Sequence, residues 1–216
     1  MRILAIETSG SSFSVALADK GKLVSEFFWR TGLRHSELLV PAIIKILKKA
    51  RWKINSIKKV AVSTGPGSFT GIRVGLSSAK TISQALKVPL VGIDTLDILA
   101  AQSKKNGIAV IPMIDALRDE AFIKDKKGDI IIRNSEEFVN ELKDIGSKIY
   151  LAGSAAEKNR SKIKHILGNR AVTAPAKLNF PRAGVLALLA DKIKGQKYYQ
   201  VEPLYIRRSW AEEKTN

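Results

Sequence analysis

The residues of this chain best placed to do chemistry form one run, Ser63-Thr64-Gly65-Pro66-Gly67-Ser68-Phe69-Thr70-Gly71-Ile72-Arg73-Val74-Gly75. A short apolar stretch, Lys59–Ser63, precedes its turn and an amphipathic stretch follows, so the run reads as strand end, tight turn and helix start. Gly65 and Gly67 allow torsions and a close backbone approach that a Cβ would block. The first N–H groups of a helix lack partners within it, which makes Gly65, Pro66, Gly67, Ser68, Thr70 and Gly71 a candidate anion-binding loop. Arg73 could add a charge-assisted contact. A plain strand-to-helix turn would explain the same glycines without a ligand.

Other reactive side chains are few. With no cysteine, the chain can form no disulfide, thiolate metal site or cysteine nucleophile. Its two histidines, His35 and His165, fall in different halves, which argues against a histidine-pair metal site. His35, near a helix start, reads as a structural or interface residue. Asp115, Asp119 and Glu120 flank a strand turn and could approach magnesium, although acidic residues in such places are usually just solvated. A two-metal nuclease would need carboxylates on the first strand, first helix and fourth strand. Glu7 and Glu37 could supply two of them, but Lys59–Thr64 contains none.

The elements that must position these residues follow from periodicity. Strands are expected at 2–6, 13–18 and 22–29, with Asp19-Lys20-Gly21 turning the second pair. A helix capped by Ser36 carries the apolar stripe Leu39, Ile43, Ile46, Leu47 and Ala50, and Pro41 should bend it. A strand at 59–63, a helix at 70–86, a strand at 89–93 and a helix at 95–103 complete a first pass. A second pass has strands at 109–114, 120–125 and 128–133, then a helix capped by Ser135. A strand at 148–152, a helical stretch at 155–167 and a last helix at 183–193 follow. The order βββαβα thus occurs twice, as two ribonuclease-H-like units, 1–105 and a smaller 106–216, the last helix being free to pack on the first. Such tandem units resemble the actin, hexokinase and Hsp70 superfamily.

Composition sets the outer limits. At 216 residues and 45% apolar the chain can build one large domain or two small ones. Its apolar segments are too short for a membrane span, and the N-terminal one is too short for a signal peptide, so a cytoplasmic location is expected. The net charge of +17 is uneven, with 17 basic against 6 acidic residues in 1–105. Lys45, Lys48, Lys49, Arg51, Lys53, Lys58 and Lys59 form the densest basic patch, suited to steering a polyanion or simply to solubility, with Lys45, Lys48, Lys49, Arg51 and Lys53 as candidate tRNA contacts.

GPGSFTGIRVG resembles the signature of the bacterial TsaB (YeaZ) family. Ile3–Ser9, His35–Pro41, Val88–Ile93 and Glu202–Arg207 continue the resemblance in the family's order. In the catalytic paralogue TsaD, a histidine pair that binds metal follows a V-P-x-x-x-V segment. Aligned on Val88-Pro89, those positions are Thr95 and Leu99 here, and neither can replace an imidazole. The resemblance therefore implies a non-catalytic scaffold with no cofactor of its own, working in threonylcarbamoyladenosine formation in tRNA. It implies a heterodimer with a TsaD-like protein, engagement of a TsaE-like ATPase, contact with tRNA through the complex, and a homodimer when alone. The first two helices would dock, through Leu38, Leu39, Ala42 and Ile43 on one and Val74, Ser77, Ser78 and Thr81 on the other. The rival reading is an ATP- or metal-dependent hydrolase or kinase, including a glycoprotease-like peptidase. Its phosphate turns would be Glu7–Ser12 and Ala152-Gly153-Ser154-Ala155.

Overall fold

A computed structural model describes residues 1–30, 35–104 and 108–206. Strands β1 (Ile3–Glu7), β2 (Phe13–Asp19) and β3 (Lys22–Trp29) come first. Then follow α1 (His35–Ala50), β4 (Lys59–Ser63), α2 (Phe69–Leu86), β5 (Leu90–Ile93) and α3 (Thr95–Gln102). The next stretch holds β6 (Ala109–Pro112), β7 (Ile114–Asp115), β8 (Glu120–Lys124), β9 (Ile130–Asn134) and α4 (Ser135–Glu141). Last come β10 (Ile149–Ala152), α5 (Ser154–Lys158), α6 (Arg160–Leu167), β11 (Ala171–Thr173) and α7 (Ala183–Asp191).

The first compact unit joins Met1–Ile98 with Arg182–Tyr205. Its sheet has the order β3-β2-β1-β4-β5. β1 pairs antiparallel with β2 and parallel with β4, and β4 pairs parallel with β5. Alternation along β1 sends Leu4 and Ile6 into one core, with Leu39, Ile46 and Leu76 of α1 and α2. Ile3 and Ala5 face the other way, against Ala183, Leu186, Ala187 and Ala190 of α7. Because both faces are covered, β1 and β4 are apolar almost throughout. Ala5, Ala16, Ala18 and Ala61 keep the second face shallow, which lets α7 lie close to it.

Helix α7 is apolar nearly all round and can only be stable against a ready-made apolar surface. It belongs to the first unit, and the contacts divide the chain after Ile98, after Pro181 and after Tyr205, where the sequence suggested one cut near 105. Residue 105 itself lies outside the described residues. At the far end of α7 the Lys59 ammonium donates to Ala190 O and Ile193 O, each at 2.8 Å, satisfying carbonyls the helix leaves open. Burial pulls the Lys59 ammonium below its ordinary range, and the charge of Asp191 works against that.

The second unit holds Leu99–Pro181. Instead of one sheet it has two, β11-β10-β6 and β7-β8-β9. The strand expected over 109–114 breaks at Met113, whose N–H donates to Ala152 O at 2.8 Å and whose carbonyl accepts from Ala155 N at 3.1 Å. Pro112 has no N–H to continue a ladder, so the chain changes partners there. Asn134, not Ser135, caps α4, its Oδ1 accepting from Glu136 N and Glu137 N at 3.0 and 3.1 Å.

Candidate functional site

β1, β4 and β5 run in one direction, so the turns leaving β1 and β4 share one end of the sheet. There the glycine-rich loop closes on Thr8 and Ser9. A Cβ on Gly67, whose φ is +153°, would sit 2.1 Å from Ser9 O. One on Gly71 would sit 2.1 Å from Thr8 O, and one on Gly75 2.1 Å from Thr8 Oγ1. Ser68 N donates to Ser9 O at 2.7 Å, Thr8 Oγ1 to Gly71 O at 2.7 Å, and Gly71 N to Ser68 Oγ at 3.2 Å. Two N–H groups of the candidate anion cradle are therefore already paired. Residues 201–205 cross the loop from outside, with Leu204 N donating to Thr64 O at 2.8 Å. A Cβ on Gly65 would meet Leu204 O at 3.1 Å. Thr70 is exposed and Pro66 buried, and the Gly65–Pro66 peptide is cis.

Arg73 is engaged too. Its guanidinium lies 3.8 Å from the Phe69 ring centre, and its Nε donates to the Tyr205 hydroxyl at 3.0 Å. The run that looked like an anion site thus fastens three segments: the first turn, the second helix and the 201–205 strap. Sequence reading singled out the segments that hold Thr8 and Tyr205 but not these contacts, which link residues 63 and 132 apart.

Glu7 stands beside this lock, fully buried at 0% exposure. Its Oε1 accepts from Ser9 N at 2.7 Å and Ser9 Oγ at 2.6 Å, while Oε2 has no hydrogen-bond partner among the described residues. Burial pushes the carboxyl above its usual range; Ser9 and the neighbouring Ser63 hydroxyl pull the other way without reversing it. A carboxyl so enclosed does not present itself to a metal ion, as the nuclease reading required.

The expected docking residues divide sharply. Leu39, Ala42 and Ile43 are 1%, 3% and 5% exposed and belong to the core under α1, so they are not surface residues. The helix turns outward Val40 at 55% and Ile44 at 48% exposure, which the apolar stripe alone did not separate from the core. Leu38, Val74 and Ser78 are half-buried, and Ser77 and Thr81 are exposed. Lys45, Lys48, Lys49, Arg51 and Lys53 are all exposed, with the Lys45 ammonium 5.0 Å from the Phe27 ring centre.

In the second unit Asp115 pairs with Lys158 at 3.3 Å, and Asp119 with the same lysine at 3.8 Å. The lysine charge offsets the acidic pair. Glu120 is half-buried and has partners of its own. Gly153 repeats the logic of Gly67: its φ is +110°, and a Cβ there would sit 2.3 Å from Met113 O. Its N–H donates to Oδ1 of the buried Asn179 at 2.9 Å, a partner that nothing in the sequence flagged. His165 is exposed on α6, Thr95 and Leu99 are 2% and 0% exposed on α3, and Glu37 is exposed on α1. The His35 side chain and Arg207 lie outside the described residues. Among the described residues no three His, Cys, Asp or Glu side chains gather as metal ligands would.

Two α/β units, the first built on a β3-β2-β1-β4-β5 sheet, place the chain in the actin, hexokinase and Hsp70-like fold class. Residues 30–193 match the family model described as TsaD, tRNA N6-adenosine threonylcarbamoyltransferase, and the chain belongs to that family, on its TsaB (YeaZ) branch. It is 26% identical to the tRNA threonylcarbamoyladenosine biosynthesis protein TsaB of Bacillus subtilis, over 99% of this chain and 97% of that one. It is 35% identical to the protein of that name from Escherichia coli, over 56% of this chain and about half, 53%, of the relative. YeaZ from Pseudomonas aeruginosa superposes with a TM-score of 0.74 at 24% identity, covering 94% and 99% of the two chains. A second structure, an uncharacterized protein with similarity to peptidase YeaZ from Pseudomonas aeruginosa, superposes at 0.79 and 24%, covering 95% and 99%.

Proposed function

We propose that this chain is a non-catalytic partner in forming threonylcarbamoyladenosine in tRNA, one that pairs with a TsaD-like transferase and engages a TsaE-like ATPase. The observation that carries the reading is the pair Thr95 and Leu99. By the resemblance to the TsaD signature they fall where its metal-binding histidines would be, and both side chains are buried. A threonine hydroxyl and an isobutyl group cannot supply two neutral imidazoles. With the glycine-rich loop closed on its own first turn, what the chain offers a partner is surface.

That surface is the outward side of α1 and α2. Val40 and Ile44 project from a helix whose inner stripe is already satisfied, and α2 exposes the small polar Ser77 and Thr81. The same face would join two copies when the transferase is missing. Docking there would order the partner's catalytic cleft, while the basic residues beyond α1 contribute attraction for tRNA. A cytoplasmic location goes with this role; no helix among the described residues is long and apolar enough to cross a membrane.

Reconstitution tests the proposal. TsaD-like, TsaE-like and adenylate-forming proteins are combined with tRNA, ATP, threonine and bicarbonate, with and without this chain. Modified tRNA should form only when the chain is present, and the chain alone should turn over neither ATP nor peptide. Equal modification without it would overturn the reading.

A further inference from the structure

At the sheet end opposite the glycine-rich lock, the first unit carries a groove of about 690 Å³. That lies within the range of small-ligand sites, about 300–1,000 Å³. One wall is the last turn of α2 with Lys87 to Pro89; the other is the segment 194–200 that follows α7. The wall is built in place. Leu90 and Gln196 exchange two backbone hydrogen bonds of 2.9 Å, and a Cβ on Gly195 would sit 2.7 Å from Pro89 Cβ. Tyr198 packs on the core cluster beneath.

The lining is chemically one-sided. It holds Lys87, Lys194 and Lys197 and no aspartate or glutamate. All three lysines are exposed, and none is ion-paired with a carboxylate among the described residues. Beside them Tyr198 and Tyr199 meet edge to face, ring centres 5.5 Å apart at 84°, and Tyr199 is 54% exposed. The side-chain amides of Gln84 and Gln196 point no hydrogen bond at the protein among the described residues, leaving donors and acceptors free.

The same end of the sheet carries further basic residues. α1 and α2 run back against the parallel strands, so both end where β4 and β5 begin. Lys58 N donates to Arg2 O, and Val60 N to Pro89 O, at that end. The exposed Lys48, Lys49, Arg51 and Lys53 at the end of α1 therefore share this edge of the unit with the groove lysines.

We infer that the groove is a binding site for an unpaired stretch of RNA, its phosphates on Lys87, Lys194 and Lys197 and a base against Tyr199. Lysines alone would suit any polyanion. A tyrosine ring 54% exposed, with the Lys197 ammonium 5.8 Å from its centre, and amides without protein partners among the described residues suit a base that is not already stacked and paired, which a duplex does not offer. The inference rests on the reading that the chain works on tRNA, and gives that contact a place.

The test is fluorescence anisotropy of the full chain with a labelled short oligouridylate and with an unmodified tRNA, across a series of KCl concentrations. Tyr199→Ala should weaken oligouridylate binding about tenfold and leave the salt slope unchanged. Replacing Lys87, Lys194 and Lys197 together by Gln should flatten the slope of log K against log salt by about 2. No oligouridylate binding by the unaltered chain, or binding by both variants equal to it, would overturn the site. Lysine dependence with Tyr199→Ala behaving as the unaltered chain would also overturn it, by reducing the groove to general electrostatics. The same variants in the modification assay separate the two readings. Modification supported by a chain whose RNA binding ignores the groove removes the site and leaves the function. Tyr199-dependent binding by a chain that supports no modification does the reverse.

Discussion

The carboxyl of Glu7 shows how one residue can set the pH behaviour of the unit. It has no exposed surface and one oxygen without a hydrogen-bond partner among the described residues, and burial raises its proton affinity in the fold above the unfolded value. Between the ordinary carboxylate range and that raised value the folded chain binds more protons than the unfolded one. Stability therefore falls as pH rises through this window. Glu7→Gln keeps an acceptor for Ser9 and removes the charge. Urea unfolding should find it more stable than the parent at pH 8, the gap closing toward pH 4.5. A parent that gains stability over that rise would contradict the assignment. Gly67 gives a second residue-scale expectation. Gly67→Ala drives a methyl into Ser9 O at a φ of +153°, and should lose about 2–3 kcal/mol in the same experiment. At Gly128 an added Cβ would meet nothing within 4 Å, although its φ is also positive at +90°, so Gly128→Ala is the control for strain without a clash.

At the scale of elements, α1 carries the sharpest expectation. Val40→Asp with Ile44→Asp changes only outward positions, so the fold should keep its stability to about 0.5 kcal/mol. Light scattering should show the proposed self-association lost, and a pull-down with the proposed TsaD-like partner should fail. Retention of both would move the interface elsewhere. The helix also shows how far the sequence could be read. Its buried stripe followed from periodicity, as did the strands of the first unit, because local patterning and burial agree there; its start did not, since Ser36, expected as the cap, lies inside His35–Ala50. The choice between inward Leu39, Ala42 and Ile43 and outward Val40 and Ile44 did not. A stripe widened by two apolar residues has no unique phase until the sheet beneath is fixed. The break at Met113 and the strand Ala171–Thr173 were hidden because they depend on partners distant in sequence. The glycine-rich loop was legible as a turn, but its filling by Thr8, Ser9 and Leu204 was not.

Over the whole molecule, the first unit is closed by the last part of the chain. Ala183, Leu186, Ala187 and Ala190 of α7 are all at 0% exposure against β1 and β2. Ending the chain at Pro181 would uncover Ile3, Ala5, Ala16 and Ala18 and remove the strap from the glycine-rich loop. Burying one leucine side chain is worth roughly 1.5–3 kcal/mol, so losing α7 should take the unit below its margin. Circular dichroism and dye binding should report a loosened, dye-binding chain with no cooperative melt; a sharp transition would show that α7 is dispensable.

This return of the chain has a consequence at the ribosome. Synthesis proceeds at about 5–20 residues per second, so the alanine-lined face of the nascent sheet waits on the order of 5–20 s while the second unit and α7 are made. During that interval the face is exposed apolar surface, open to chaperones and to aggregation alike. Variants that weaken α7 should therefore betray themselves first in cells, as chaperone dependence and low soluble yield, before purified protein shows any change in melting.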